Sequence, residues 1–221
     1  MAAAFNFRST LNFLGELSQH NNKAWFDKNR DAYEDARDTF ERFVDYLIDE
    51  FRTSDHLKDL SAKQCVMRIN RDIRFSKDKS PYKTNLGATI APGGKKSMQL
   101  GYHVSIGPNG HSLIAGGLYM PLPEQLNGFR RAIARDATGF KKITRAKAFV
   151  EQFGKIDGEK LKTAPQGYDR DHPEIELLQL KQVTVIHHFS DTEVLSSEFP
   201  TRSVEVCRAM RPFLNYLNDV M

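Results

Sequence analysis

Between Arg52 and Met67 the spacing of apolar residues changes from three-and-four to two, and no other feature restricts the fold of this chain as strongly. Before the change, Tyr33, Ala36, Phe40, Phe43, Val44, Leu47, Ile48 and Phe51 fall on one stripe of a helix. After it, Met67, Ile69, Ile73 and Phe75 alternate with Arg68, Asn70, Asp72 and Arg74, the period of a strand with one apolar and one polar face. A helix with a bare stripe and a strand with a bare face each need cover, so the chain is expected to be α+β.

The helical period predicts one long amphipathic helix over 23–52, with Asn21-Asn22 as a cap before it and a shorter helix around Leu11, Leu14 and Leu17. Downstream, short strands are predicted at Gly87–Ile90, at Leu100–Ile106 and at His111–Tyr119, the last two joined by the hairpin signal Pro108-Asn109-Gly110. Their short turns favour an antiparallel sheet. Pro121 and Pro123 open a second helical region running brokenly through Phe129, Ile133, Phe140, Ile143, Phe149 and Phe153. A short helix at Glu174–Leu180, a strand at Val183–Phe189 and a final helix over Ser203–Val220, broken or kinked near Pro212, complete the reading. The expected architecture is a central, mainly antiparallel sheet covered by helices, in one domain over 1–221.

Charge is distributed unevenly. The chain carries a net +4, but residues 63–96 hold nine Lys/Arg against two Asp, and residues 31–59 hold ten Asp/Glu against four Lys/Arg. A basic locus on an otherwise acidic molecule suits a local anion better than general coating of a duplex. Cys65 and Cys207 match no metal spacing, and two thiols far apart point to a reducing, cytoplasmic setting. The N-terminal residues do not form a secretion signal, and no apolar run is long enough to span a bilayer. No metal site and no cofactor are expected: His187-His188 adjoin on a strand and point to opposite faces.

The basic locus supplies the candidate site. Arg68, Asn70 and Arg74 share the polar face, with Asp72 placed to orient the arginines. Arg71 breaks the alternation and needs a carboxylate, a sheet edge or an anion as partner. Ser76, Lys79 and Lys83 follow in a loop. Arg offers a planar fork to phosphate or carboxylate, and Lys a mobile point charge. Trp25, Tyr119 and Tyr168 are the aromatic candidates for walls. His172, between Asp171 and Pro173, is the candidate acid or base, or else a loop-locking residue. Three readings remain open. The chain binds an anionic, phosphorylated small molecule or nucleotide; it binds nucleic acid; or it is an interaction protein whose arginines pair internally.

Two long segments resemble a known pattern. These are Asn21-Asn22-Lys23-x-Trp25-Phe26-x-x-Asn29-Arg30 and the run from Arg68 to Asn85, RINRDIRFSKDKSPYKTN. Gly116-Gly117-Leu118-Tyr119-x-Pro121 and the stretch Leu161 to Pro173 follow in the same order. Together they resemble the signature of the uncharacterised domain-of-unknown-function family numbered twenty-four sixty-one, found in many bacteria and some fungi. The resemblance covers nearly the whole chain and implies a single domain of that family. It carries no reaction with it.

Overall fold

The computed structural model describes residues 5–156 and 158–221. Its element order is α1 (Phe7–Gln19), α2 (Lys23–Lys28), α3 (Arg30–Phe51), α4 (Ala62–Cys65), β1 (Leu86–Ile90), β2 (Tyr102–Ile106), β3 (Ser112–Leu118), α5 (Pro123–Arg135), α6 (Thr138–Thr144), α7 (Lys147–Phe153), α8 (Ile175–Leu178), β4 (Val183–Phe189), α9 (Asp191–Val194) and α10 (Phe199–Val220). The four strands form one antiparallel sheet in the order β1-β2-β3-β4. The chain is therefore α+β, as expected. No helix among the described residues is long and apolar enough to cross a membrane.

The polypeptide divides into two compact units interleaved in sequence. The first comprises the described residues up to Met98 with Tyr102–Ile114 and His188–Val204. The second comprises Gln99–Gly101, Ala115–His187 and Glu205–Met221.

In the first unit, the stripe of α3 is buried as its spacing predicts, from Ala36 through Phe51. It packs with α1 and with a cluster of rings. Phe43 stacks on Phe199 with centroids 5.2 Å apart, and Phe7 meets both rings edge-on. The continuous helix expected over 23–52 is instead two helices. Asn22 caps α2, its Oδ1 accepting from the Trp25 amide at 3.0 Å. Asn29 then ends it: its side-chain amide donates to the Trp25 carbonyl at 2.8 Å, a local bond that competes with the helical ladder. The β1–β2 register pairs Thr89 with His103 and Gly87 with Ser105. At the β2–β3 turn, Asn109 and Gly110 both take positive φ, the backbone a two-residue hairpin demands. Both turn amides donate to the Asp191 carboxylate, at 2.9 and 2.8 Å.

The second unit centres on Phe129, Phe140, Phe149 and Phe213, all buried and in ring contact as a chain. The final helix does not break at Pro212; α10 is continuous from Phe199 to Val220. Met210, Phe213, Leu214 and Leu217 are buried on either side of the proline, so burial of that stripe outweighs the hydrogen bond the proline cannot donate. Gly117 lies where β3 passes β4. With φ +117°, a Cβ there would lie 2.2 Å from the Val183 carbonyl oxygen, so only glycine fits.

Candidate functional site

The stretch expected as a strand over 67–75 is an extended arm and a loop, not a regular strand. Residues 66–71 run antiparallel to 81–88 through separate bridges, Val66 to Ala88 and Asn70 to Tyr82. The Met67 amide donates to the Gly87 carbonyl, the Lys83 amide to Ile69 and the Arg71 amide to Pro81, at 2.8–2.9 Å. The first bond and the other two differ in register by two residues, which interrupts the ladder and explains why no continuous strand forms. Ile69 is buried, and Arg68, Asn70, Asp72 and Arg74 are exposed, as the alternation predicts. The pattern fails at its end: Phe75 is 95% exposed. Past Ile73 the chain has turned into the loop, and period two no longer reports a face.

Arg71 is the staple of that loop. Its guanidinium pairs with the Asp78 carboxylate and also donates to the Ser80 carbonyl at 3.3 Å and to Ser76 Oγ at 3.4 Å. Asp78 accepts from the Ser80 hydroxyl and amide as well, at 2.6 and 2.9 Å. The Ser80 hydroxyl and amide, with Arg71, hold this carboxyl well below the usual carboxylate range. Arg74 forms a two-pronged pair with Asp72, at 2.9 and 2.7 Å. Lys79 Nζ donates to the Ile73 carbonyl at 3.0 Å.

Two cationic side chains, Arg68 and Lys83, and the His103 imidazole remain grouped at the base of the arm. Lys83 Nζ donates to the Arg68 carbonyl at 3.1 Å. Burial pushes the Lys83 ammonium down, and the Arg68 charge adds to the effect. Burial likewise pushes the His103 imidazole down, and here the Lys83 charge adds to it. The Arg68 guanidinium makes no hydrogen bond or ion pair among the described residues, though its charge acts on Asp72. His103 lies on β2, where its Cε1 would be in ordinary contact, 3.6 Å, with a Cβ at Gly87. Asn85, just before β1, and Ser105 on β2 add a polar pair, joined at 2.8 Å. The residue pattern alone does not bring His103 to the site. Its placement depends on β1–β2 register, which no residue pattern specifies.

The Asn-Asn-x-x-Trp-Phe motif anchors the arm. Asn21 exchanges two hydrogen bonds with the Tyr82 backbone, and the Tyr82 ring stacks on Phe26 with centroids 4.0 Å apart. Trp25 is half-buried and packs against His20 and Phe13.

The remaining candidates belong to the second unit. Tyr119 is 71% exposed. Tyr168 is half-buried and acts electrostatically on Arg130, whose guanidinium donates to the Leu178 and Leu180 carbonyls at 2.8 and 3.1 Å. His172 Nδ1 accepts from the Glu174 amide at 3.0 Å, which locks the turn before α8 and leaves Nε2 to carry the ring proton. Among the described residues, no three His, Cys, Asp or Glu side chains converge as metal ligands.

An α+β chain whose basic arm is pinned to its N-terminal helices and flanks the first strand pair defines the class. The family model described as "Conserved hypothetical protein (DUF2461)" matches residues 9–216, and the chain belongs to that family. No curated protein and no solved structure matches it.

Proposed function

We propose that this protein binds an anionic, phosphorylated small molecule or nucleotide at the base of the arm, with Arg68, Lys83 and His103 as the anion-holding group. One observation supports the reading: Arg68 acts electrostatically on Lys83, and Lys83 on His103, so the charged group acting on each is a cation. The carboxylate nearest in effect, Asp72, is already engaged by both prongs of Arg74. Grouped positive charge without a counter-charge favours an anion, and a phosphoryl group meets it with several acceptor oxygens. Asn70, Ser76 and Lys79 stay on the candidate ligand list as neighbours in sequence. Trp25 is the aromatic candidate of the same unit. Cys65 and Cys207, both buried thiols, favour the cytoplasm as its setting.

A second reading, an interaction protein with internally paired arginines, has specific support at two positions. Arg71 and Arg74 each pair with an aspartate of the same loop. It does not account for Arg68.

Thermal melting in sulfate, inorganic phosphate, nucleotides and sugar phosphates, against chloride at matched ionic strength, tests the proposal. Sulfate or phosphate is expected to raise Tm beyond chloride, and Arg68→Ala and Lys83→Met to remove that increment with the fold intact by circular dichroism. Arg74→Ala is expected to leave most of it. No increment from any anion, or an increment that survives both variants, defeats the proposal.

A further inference from the structure

Phe75 is the most exposed large apolar side chain recorded for the chain, and the loop around it is braced rather than loose. Arg71 ties Ser76, Asp78 and Ser80 together, Lys79 Nζ bonds the Ile73 carbonyl, and the Ser76 amide donates to the same carbonyl at 3.3 Å. A phenylalanine ring held fully in water on a fixed loop forgoes about 1.5–3 kcal/mol of burial. Its setting describes what would cover it. The Arg74 guanidinium lies 5.8 Å from the ring centroid, fixed by its two bonds to Asp72. Lys77 is exposed, with no hydrogen-bond or ion-pair partner among the described residues. Both aspartates of the loop are already paired, to Arg71 and Arg74.

We propose that Phe75 is a stacking platform for an unpaired base of single-stranded nucleic acid, with Arg74 and Lys77 facing the adjoining phosphates. This goes beyond the small-anion reading and stands on different residues. Every base presents a flat face to an aromatic ring regardless of sequence, and flanking cations track the backbone; that pairing is how single strands are held without base readout. A duplex offers no such face, since its bases are stacked internally. An anionic bilayer fits less well. One ring among Asp72, Arg74, Ser76, Lys77 and Asp78 gives a membrane little apolar area to bury, whereas a base needs only one ring. The platform also lies beyond the Arg71–Pro81 level of the arm, and Lys83 lies two residues before that level, roughly 7 Å at strand rise.

Fluorescence anisotropy with a labelled oligothymidylate about 20 nucleotides long, in roughly 50 mM salt, tests the platform. Phe75→Ala is expected to weaken binding by about 5- to 150-fold, the range for loss of one stacked base. Phe75→Trp is expected to retain binding and to show indole quenching on titration. Phe75 touches no core residue, so neither variant should unfold the chain; urea melts confirm this. Duplex of the same length should bind more weakly and should not respond to Phe75→Ala. Absence of oligonucleotide binding, or equal binding by wild type and Phe75→Ala, overturns the proposal. So does Phe75-dependent sedimentation with phosphatidylserine vesicles when the oligonucleotide does not bind. Sulfate stabilisation through Arg68 and Lys83 is measured separately and should not change in Phe75→Ala, so either proposal can fail alone.

Discussion

Asn21 acts as a strand neighbour to Tyr82: its Oδ1 accepts from the Tyr82 amide at 3.1 Å while its Nδ2 donates to the Tyr82 carbonyl at 2.9 Å. A side-chain amide thereby completes the backbone pairing of an arm whose own bridges are sparse. Asn22 uses its side chain differently, capping α2. The two adjacent asparagines thus divide the work of ending one helix, docking the arm and starting the next. Phe26, on α2, then covers the Tyr82 ring.

Removing that link should loosen the arm before it unfolds the protein. Asn21→Ala deletes two hydrogen bonds and leaves the part-buried Tyr82 amide and carbonyl short of partners, a cost of about 1–3 kcal/mol. Asn21→Asp keeps the acceptor, loses the donor and sets a carboxylate against the Tyr82 carbonyl, so it should be no better than alanine. Urea denaturation gives the global change. Amide exchange at Arg71 and Lys83, which bond across the arm, should accelerate by more than exchange at β1 and β2. Equal acceleration throughout would show that Asn21 stabilises the whole unit rather than the arm.

Much of the fold was legible because two periods dominate it. The α3 stripe, the Asn109-Gly110 hairpin and the bounds of β4 are set by neighbours in sequence, and spacing reports such elements directly. The reading of a single helix over 23–52 missed the break because Asn29 acts through its side chain, which apolar spacing does not record. Pro212 misled in the opposite direction: local chemistry argues for a break, but burial of Phe213, Leu214 and Leu217 prevails. The site was half legible. Arg71 was correctly marked as needing a partner, and the partner was Asp78, seven residues away. Arg68 and Lys83 were named, but nothing in the sequence separates them from Arg74 and Lys79, which the loop uses internally. His103 joins them only through register, a long-range property.

The cation group should make anion binding proton-linked. Burial, aided by Lys83, holds the folded-state pKa of His103 below its ordinary 6.5. The sign follows: His103 is neutral in both states above pH 6.5, and its contribution to stability is intact there. As pH falls through 6.5 and on through the lower folded value, the unfolded chain takes up the proton first and stability is lost. Lys83 is the charge that acts on the ring from the arm, and it opposes protonation. Sulfate does not titrate in this range. Bound beside Lys83, it should raise the folded pKa and offset the loss, so the Tm difference between sulfate and chloride should widen from pH 8 to pH 5 in wild type. In His103→Gln the difference should stay constant. Parallel curves for the two proteins would separate His103 from the anion group.

Two glycines should respond oppositely to alanine, which tests the backbone assignment in both units. Gly117 combines φ +117° with a would-be Cβ 2.2 Å from the Val183 carbonyl oxygen and 3.0 Å from the Thr184 Cα, both backbone atoms that cannot rotate away. Gly117→Ala must either push β4 from β3 or abandon the φ value, and should cost more than about 2 kcal/mol. Gly15 lies inside α1, and a Cβ there meets nothing within 4 Å. Gly15→Ala removes the entropic cost of a helical glycine without crowding and should stabilise by about 0.5–1 kcal/mol. Guanidinium melts of the two variants against wild type measure both shifts. A neutral Gly117→Ala would mean that β3 and β4 do not approach as closely as the backbone geometry requires.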